Sequence, residues 1–188
     1  LTHCRDLVRQ GTIAAYGEAA DYLRFYEINP EVVHLAGSYF TYLKDSPARI
    51  EIIDGDARLS MEREMASGQT QQLDVLAIDA FSSDAIPVHL LTSECGDIYR
   101  QQLKPGGILA VHISNRFLDL NPVSRGLAEH LGWKAYQIEN DGDDLAGVFS
   151  STGILLTADE ELGSDAGFQK SVTPWKTNDR ILHWTDDY

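Results

Sequence analysis

Short apolar runs alternate along the chain with stretches whose apolar residues recur at helical spacing. The runs at 23–28, 50–53, 73–78, 108–113, 134–138 and 148–157 have the length and the aliphatic and aromatic content of strands. Segments 31–40, 57–65, 91–103 and 122–131 read as helices. Pro30 stands where a first-turn proline is tolerated, and Lys104-Pro105-Gly106-Gly107 predicts the end of a helix and a turn into the next strand. A β-α-β-α order of this kind predicts an α/β fold with a Rossmann-like, mostly parallel sheet covered by helices on both faces. The last two strands are joined by Asn140-Asp141-Gly142-Asp143-Asp144, which leaves no room for a crossover helix, so a C-terminal antiparallel hairpin is expected.

The ends depart from this rhythm. Residues 1–10 carry Arg5, Asp6 and Arg9 and make a poor buried strand, so an irregular start is expected, with 4–8 as a shortened substitute for a first strand or the chain as a fragment. Residues 163–188 form a polar, weakly periodic tail that Trp175 and Trp184 are expected to pin to the body. The 188 residues suit one domain spanning 1–188.

Charge changes the picture of partners. Fifteen basic residues against 29 acidic ones give a formal net charge of -14 and a pI near 4.6. With no basic stripe, such a surface repels a phosphate backbone, which argues against nucleic acid and favours a cationic substrate. No apolar stretch approaches the roughly 20 residues a spanning helix needs, so a soluble chain is expected. Cys4 and Cys95 have neither CxxC spacing nor a metal-ligand pattern with the six histidines, which reads as free thiols in a reducing cytoplasm and no metal site. Leu1 stands where Met would, without a signal-peptide pattern, which reads as a processed or excised chain.

In open α/β sheets ligands bind beyond the carboxyl ends of the strands. Four acids fall there: Glu27, Asp56, Asp79 and Asp84. Glu27, near the end of its strand, could accept two ribose hydroxyls or cap the turn before Pro30. Asp56, beside Gly55, could reach an adenine amino group or cap the helix that begins at Ala57. Asp79 and Asp84 share the partly apolar loop Asp79-Ala80-Phe81-Ser82-Ser83-Asp84-Ala85-Ile86-Pro87, and two carboxylates there suit chemistry better than capping. His89 opens a helix from which it could face this acidic edge. His112, inside Ala110-Val111-His112-Ile113, is expected to be a hydrogen-bonded core histidine. Serine-hydrolase elbows, HExxH and Walker loops are missing from the sequence.

The stretches GTIAAYG (11–17), LRFYEINPEVVHLA (23–36), GDARLSME (55–62), LDVLAIDAFSSDAIPVHLLT (73–92), LKPGGILAVHISNR (103–116) and WTDDY (184–188) resemble, in order, the catalytic domain of the spermidine synthase-like aminopropyltransferases. The match is to the divergent branch often fused to membrane segments, and 73–92 is its most specific part. The resemblance implies a methyltransferase-type fold whose parallel sheet ends in an antiparallel hairpin, and commonly a homodimer at the cytoplasm or the cytoplasmic face of a membrane. It implies decarboxylated S-adenosylmethionine as co-substrate and a small cationic amine such as putrescine as acceptor. Glu27 would bind the ribose, Asp56 and Ala57 the adenine, Gly11 and Asp79 the cofactor, and Asp79 with Asp84 would flank the reacting centre. The chain departs from the family pattern in several places, among them Asn29 where an aspartate is common. Leu7 and Arg9 stand where relatives carry loop glycines, a loop aspartate that holds the aminopropyl ammonium has no match, and Asp79 and Asp84 are spaced more widely than in the family's DxxD. A methyltransferase using S-adenosylmethionine and an inactive nucleoside-binding domain are therefore the alternatives.

Overall fold

The computed structural model describes the backbone of residues 2–4 and residues 13–79, 87–115, 118–143, 145, 148–175 and 180–187. Strands β1 (Thr2–Cys4), β2 (Tyr22–Glu27), β3 (Arg49–Asp54), β4 (Leu73–Ile78), β5 (Leu103–His112), β6 (Lys134–Asn140) and β7 (Ser151–Thr157) form one seven-stranded sheet in the order β3-β2-β1-β4-β5-β7-β6. The first five strands of that order run parallel, and β7 lies antiparallel between β5 and β6. The expected α/β fold with its C-terminal antiparallel hairpin is therefore present.

Helices α1 (Pro30–Tyr39), α2 (Tyr42–Asp45), α3 (Ala57–Ala66), α4 (Ser93–Gln102), α5 (Asn121–Leu131), α6 (Glu160–Ser164) and α7 (Ala166–Gln169) fill the connections and the tail. The two-residue period of β2 divides its side chains between two cores. Leu23 and Phe25 join Ala36, Val32 and Val33 of α1 and Tyr42 and Leu43 of α2 on one face. Arg24 and Tyr26 point to the other face, where α3, α4 and α5 pack over β4, β5 and β7 in the larger core. Arg24 is buried there, ion-paired to Glu51 of β3 (2.7 Å) and to Glu64 of α3, with Tyr26 also donating to Glu64 at 2.8 Å. A guanidinium removed from water needs such partners, and these ones fasten α3 across β2 and β3.

Three boundaries differ from the sequence expectation. The Thr2–Cys4 strand lies within the stretch expected to start irregularly, at 2–4 rather than 4–8; Arg5 and Asp6 follow it in sequence, and charge is poorly placed between two other strands. Lys104 to Gly107 lie inside β5 as a bulge rather than ahead of it, because Leu73 pairs with Leu103 while Val75 already pairs with Ile108. The hairpin link is longer than predicted: β7 begins at Ser151, and Val148 instead closes the link by bridging Asp143.

The tail is strapped to the body as expected of its tryptophans. Trp175 and Trp184 pack against the larger core, and Arg125 stacks over the Trp175 ring at 5.1 Å. Leu182 N–H donates to Pro122 O (2.9 Å) and Ser93 N–H to Trp184 O (2.8 Å). Gly126 of α5 faces this strap so closely that a Cβ there would meet the Leu182 carbonyl. Among the described residues, no helix is long and apolar enough to cross a membrane.

Candidate active site

The parallel register brings three of the predicted acids, Glu27, Asp56 and Asp79, to one edge. Cys4 of β1 pairs with both Tyr26 and Ile78, so Glu27 and Asp79, the next residues on β2 and β4, stand level across β1. Two strand spacings separate them, roughly 10 Å. On the other side Glu27 pairs with Asp54, and Asp56 follows two residues later. Gly55 makes that short step with φ +127, a conformation that disfavours any side chain, and its N–H donates to Glu27 O at 2.8 Å.

Glu27, Asp56 and Asp79 each have an identifiable local role. Glu27 is 2% exposed, and its Oε1 accepts the Asn29 N–H at 2.8 Å. The cap of α1 is Asn29, whose Oδ1 accepts from Glu31 N–H, so Glu27 orders the turn without being the cap. Asp56 is the N-cap of α3, with Oδ1 accepting from Leu59 N–H at 3.0 Å. Its Oδ2 lies 3.0 Å from His89 Nε2, which places His89 on the acidic edge. Ala57 is buried at the first turn of α3. Gly11 and Asp84 lie outside the described residues.

Asp79 ends β4 with a side chain 33% exposed, and its Oδ1 lies 2.7 Å from His112 Nδ1. His112 is thus no interior residue, as its sequence surroundings suggested: its side chain is 34% exposed and sits at the same edge. The signal that finds it is register. Ile78 pairs with Val111, so the next residue on each parallel strand meets the other. His112 Nε2 lies 2.7 Å from Ser114 Oγ, which accepts Thr152 N–H at 2.8 Å. Ser114 and Thr152 line an open cleft of about 500 Å³, together with Asn115, Asp119, Glu139 and Asp141.

Arg58 fastens the neighbouring segments. It forms a two-pronged ion pair with Asp186 of the tail, a second pair with Glu62 at 3.0 Å, and donates to His89 O at 2.9 Å. The Arg58 hydrogen bonds hold the Asp186 carboxyl down at about 2, and those to Asp186 pull the guanidinium above its ordinary value. Desolvation pushes the Cys95 thiol up to about 12, which leaves it a protonated, inert core residue. Among the described residues no group of His, Cys, Asp or Glu has the arrangement of a metal site.

No protein-family model matches the chain. It is 29% identical over 133 residues, 71% of its length, to a protein named "Probable polyamine aminopropyl transferase" from Bifidobacterium longum (strain NCC 2705). It is 34% identical over 86 residues, 46% of its length, to the polyamine aminopropyltransferase of Vibrio vulnificus (strain CMCP6). Spermidine synthase from Thermotoga maritima superposes with a TM-score of 0.60 at 15% identity, covering 99% of this chain and 62% of that one. The chain is thus similar in sequence to polyamine aminopropyltransferases and in fold to spermidine synthase. A spermidine synthase in complex with the transition state analogue AdoDATO superposes with a TM-score of 0.61 at 15% identity over 99% of the chain and 61% of that one. The methyltransferase-type character of the fold shows in human methyltransferase-like protein 13 in complex with SAH, which superposes with a TM-score of 0.66 at 14% identity over 100% of the chain and 85% of its counterpart. The spermidine synthase-like sequence match covers 24% and 27% of the two curated relatives.

Proposed function

We propose that the chain carries the catalytic domain of an aminopropyltransferase, which moves an aminopropyl group from decarboxylated S-adenosylmethionine to a cationic polyamine such as putrescine. The observation that carries this reading is the position of Asp79 at the carboxyl end of β4, level with the buried Glu27, in a chain whose curated relatives are named as aminopropyltransferases. The ligands of two structural neighbours, AdoDATO and SAH, support an adenosylmethionine-type nucleoside as the ligand of this edge.

The residues suit such a ligand. Glu27 would accept the ribose hydroxyls, and the Gly55–Asp56–Ala57 turn would meet the adenine, the Asp56 carboxylate facing its amino group. Asp79 would bind the acceptor's ammonium and take its proton, which exposes the nitrogen lone pair. That nitrogen then bonds to the propyl carbon next to the sulfonium. The carbon–sulfur bond breaks with its electron pair going to sulfur, and methylthioadenosine leaves. Asp84 would flank the same centre. Alignment does most of the remaining work.

Methyl transfer from S-adenosylmethionine is the second reading, favoured by the superposition on methyltransferase-like protein 13. A turnover assay separates the two. With decarboxylated S-adenosylmethionine and putrescine, the protein is expected to release methylthioadenosine, and Asp79→Asn is expected to lower that rate by roughly 10²–10⁴-fold, the usual contribution of a general base. Transfer that is undiminished in the variant removes Asp79 from the reaction.

A further inference from the structure

For a neutral His112 imidazole beside an ionised Asp79, the hydrogen bonds run in one direction, because the carboxylate can only accept. Ser114 Oγ accepts Thr152 N–H, and its single proton is then available to His112 Nε2. With Nε2 accepting, a neutral imidazole carries its proton on Nδ1, where it donates to Asp79 Oδ1 at 2.7 Å. The acceptor-only carboxylate of Asp79 thus sets the tautomer of a side chain on β5, and Ser114, anchored by a backbone amide of β7, holds the other ring nitrogen. His112 is the last residue of β5, paired with Gly153 of β7, and its side chain is one-third exposed at the strand's end, while Ser114, two residues on, lines the open cleft.

We propose that His112 is a positioning residue for the reaction, whose Nδ1–H, locked in place by Ser114 and the Thr152 amide, fixes the orientation in which the Asp79 carboxylate meets the acceptor ammonium. The inference rests on the aminopropyl-transfer reading. The proton still passes from the ammonium to Asp79, and His112 holds its own proton throughout. Ser114 acts one step further out, because without its hydroxyl Nε2 can carry the proton instead and Nδ1 then faces the carboxylate as a second acceptor. Misorientation of a reacting group by about 1 Å costs roughly a hundredfold in rate.

The test measures kcat, the KM for the amine and the dissociation constant for methylthioadenosine in wild type, His112→Ala, His112→Asn and Ser114→Ala. His112→Ala is expected to lower kcat roughly a hundredfold, with nucleoside affinity unchanged within about twofold. His112→Asn keeps an N–H donor near the position of Nδ1 and is expected to recover most of kcat. Ser114→Ala, the mildest change to packing, is expected to fall between wild type and His112→Ala, which keeps the test informative where His112→Ala unfolds. Full kcat in Ser114→Ala and His112→Ala, or equal loss in the alanine and asparagine variants, overturns the positioning role. A wild-type protein that transfers to no amine overturns the aminopropyl-transfer reading itself, and the role of His112 in it.

Discussion

At the residue scale, the acids of the sheet edge divide by how they are held. Glu27 is almost fully buried at a strand end and accepts the Asn29 N–H there. Under the proposed function its carboxylate also accepts the two ribose hydroxyls. Glu27→Gln is therefore expected to weaken methylthioadenosine binding by about 1.5–3 kcal/mol, the worth of hydrogen bonds to a charged group, which calorimetry reads as roughly a tenfold to hundredfold rise in dissociation constant. An unaltered constant removes Glu27 from the ligand. Asp56 is the contrasting case, since one oxygen caps α3 and the other faces His89. A carboxylate beside a glycine after a strand carries both signals, cap and ligand, and the sequence does not separate them because one geometry serves both.

At the scale of elements, the strands and helices were legible where hydrophobic period and length agree. The 73–78 run matches β4 residue for residue, and 57–65 falls one residue short of α3. The misreadings occurred where long-range pairing overrides local composition. Thr2-His3-Cys4 has no strand signature of its own and is ordered between β2 and β4. Lys104 to Gly107 has turn composition, yet the sheet absorbs it as a bulge. The position of His112 is hidden for the same reason: its apolar neighbours Val111 and Ile113 describe the strand, whereas its partner comes from the adjacent strand end. Gly126 shows packing that composition conceals. A glycine costs a helix interior up to about 1 kcal/mol relative to alanine, but here its missing Cβ makes room for the Leu182 carbonyl. Gly126→Ala is expected to destabilise the protein by about 1–3 kcal/mol, the usual cost of overpacking, seen as a lower denaturant midpoint with an unchanged slope. A raised midpoint would show that the strap does not bear on α5.

At the scale of the whole molecule, the tail closes over the helices beside the site. Arg58, at the start of α3, joins the His89 segment and Asp186, so the strap and the acidic edge share one cation. The hydrogen bonds from Arg58 hold Asp186 at about 2, below its ordinary 3.8. A folded-state value lower than the unfolded one gives stability that is complete above about pH 4 and is lost as pH falls through about 2. Asp186→Asn is therefore expected to lower the thermal midpoint at pH 7 and to reduce the difference from wild type as the pH approaches 2. A difference independent of pH would assign the effect to packing. The surplus of acidic residues gives the same direction of field to the whole surface, one that gathers cations.

Ligand choice tests the account most directly. Calorimetric titration of the protein with decarboxylated S-adenosylmethionine and with S-adenosylmethionine compares ligands that differ by one carboxylate, against an edge that holds Glu27, Asp56 and Asp79. Tighter binding of the decarboxylated form, by roughly tenfold or more for one unfavourable charge contact, is the predicted result. Tighter binding of S-adenosylmethionine would contradict aminopropyl transfer and make the domain a methyltransferase.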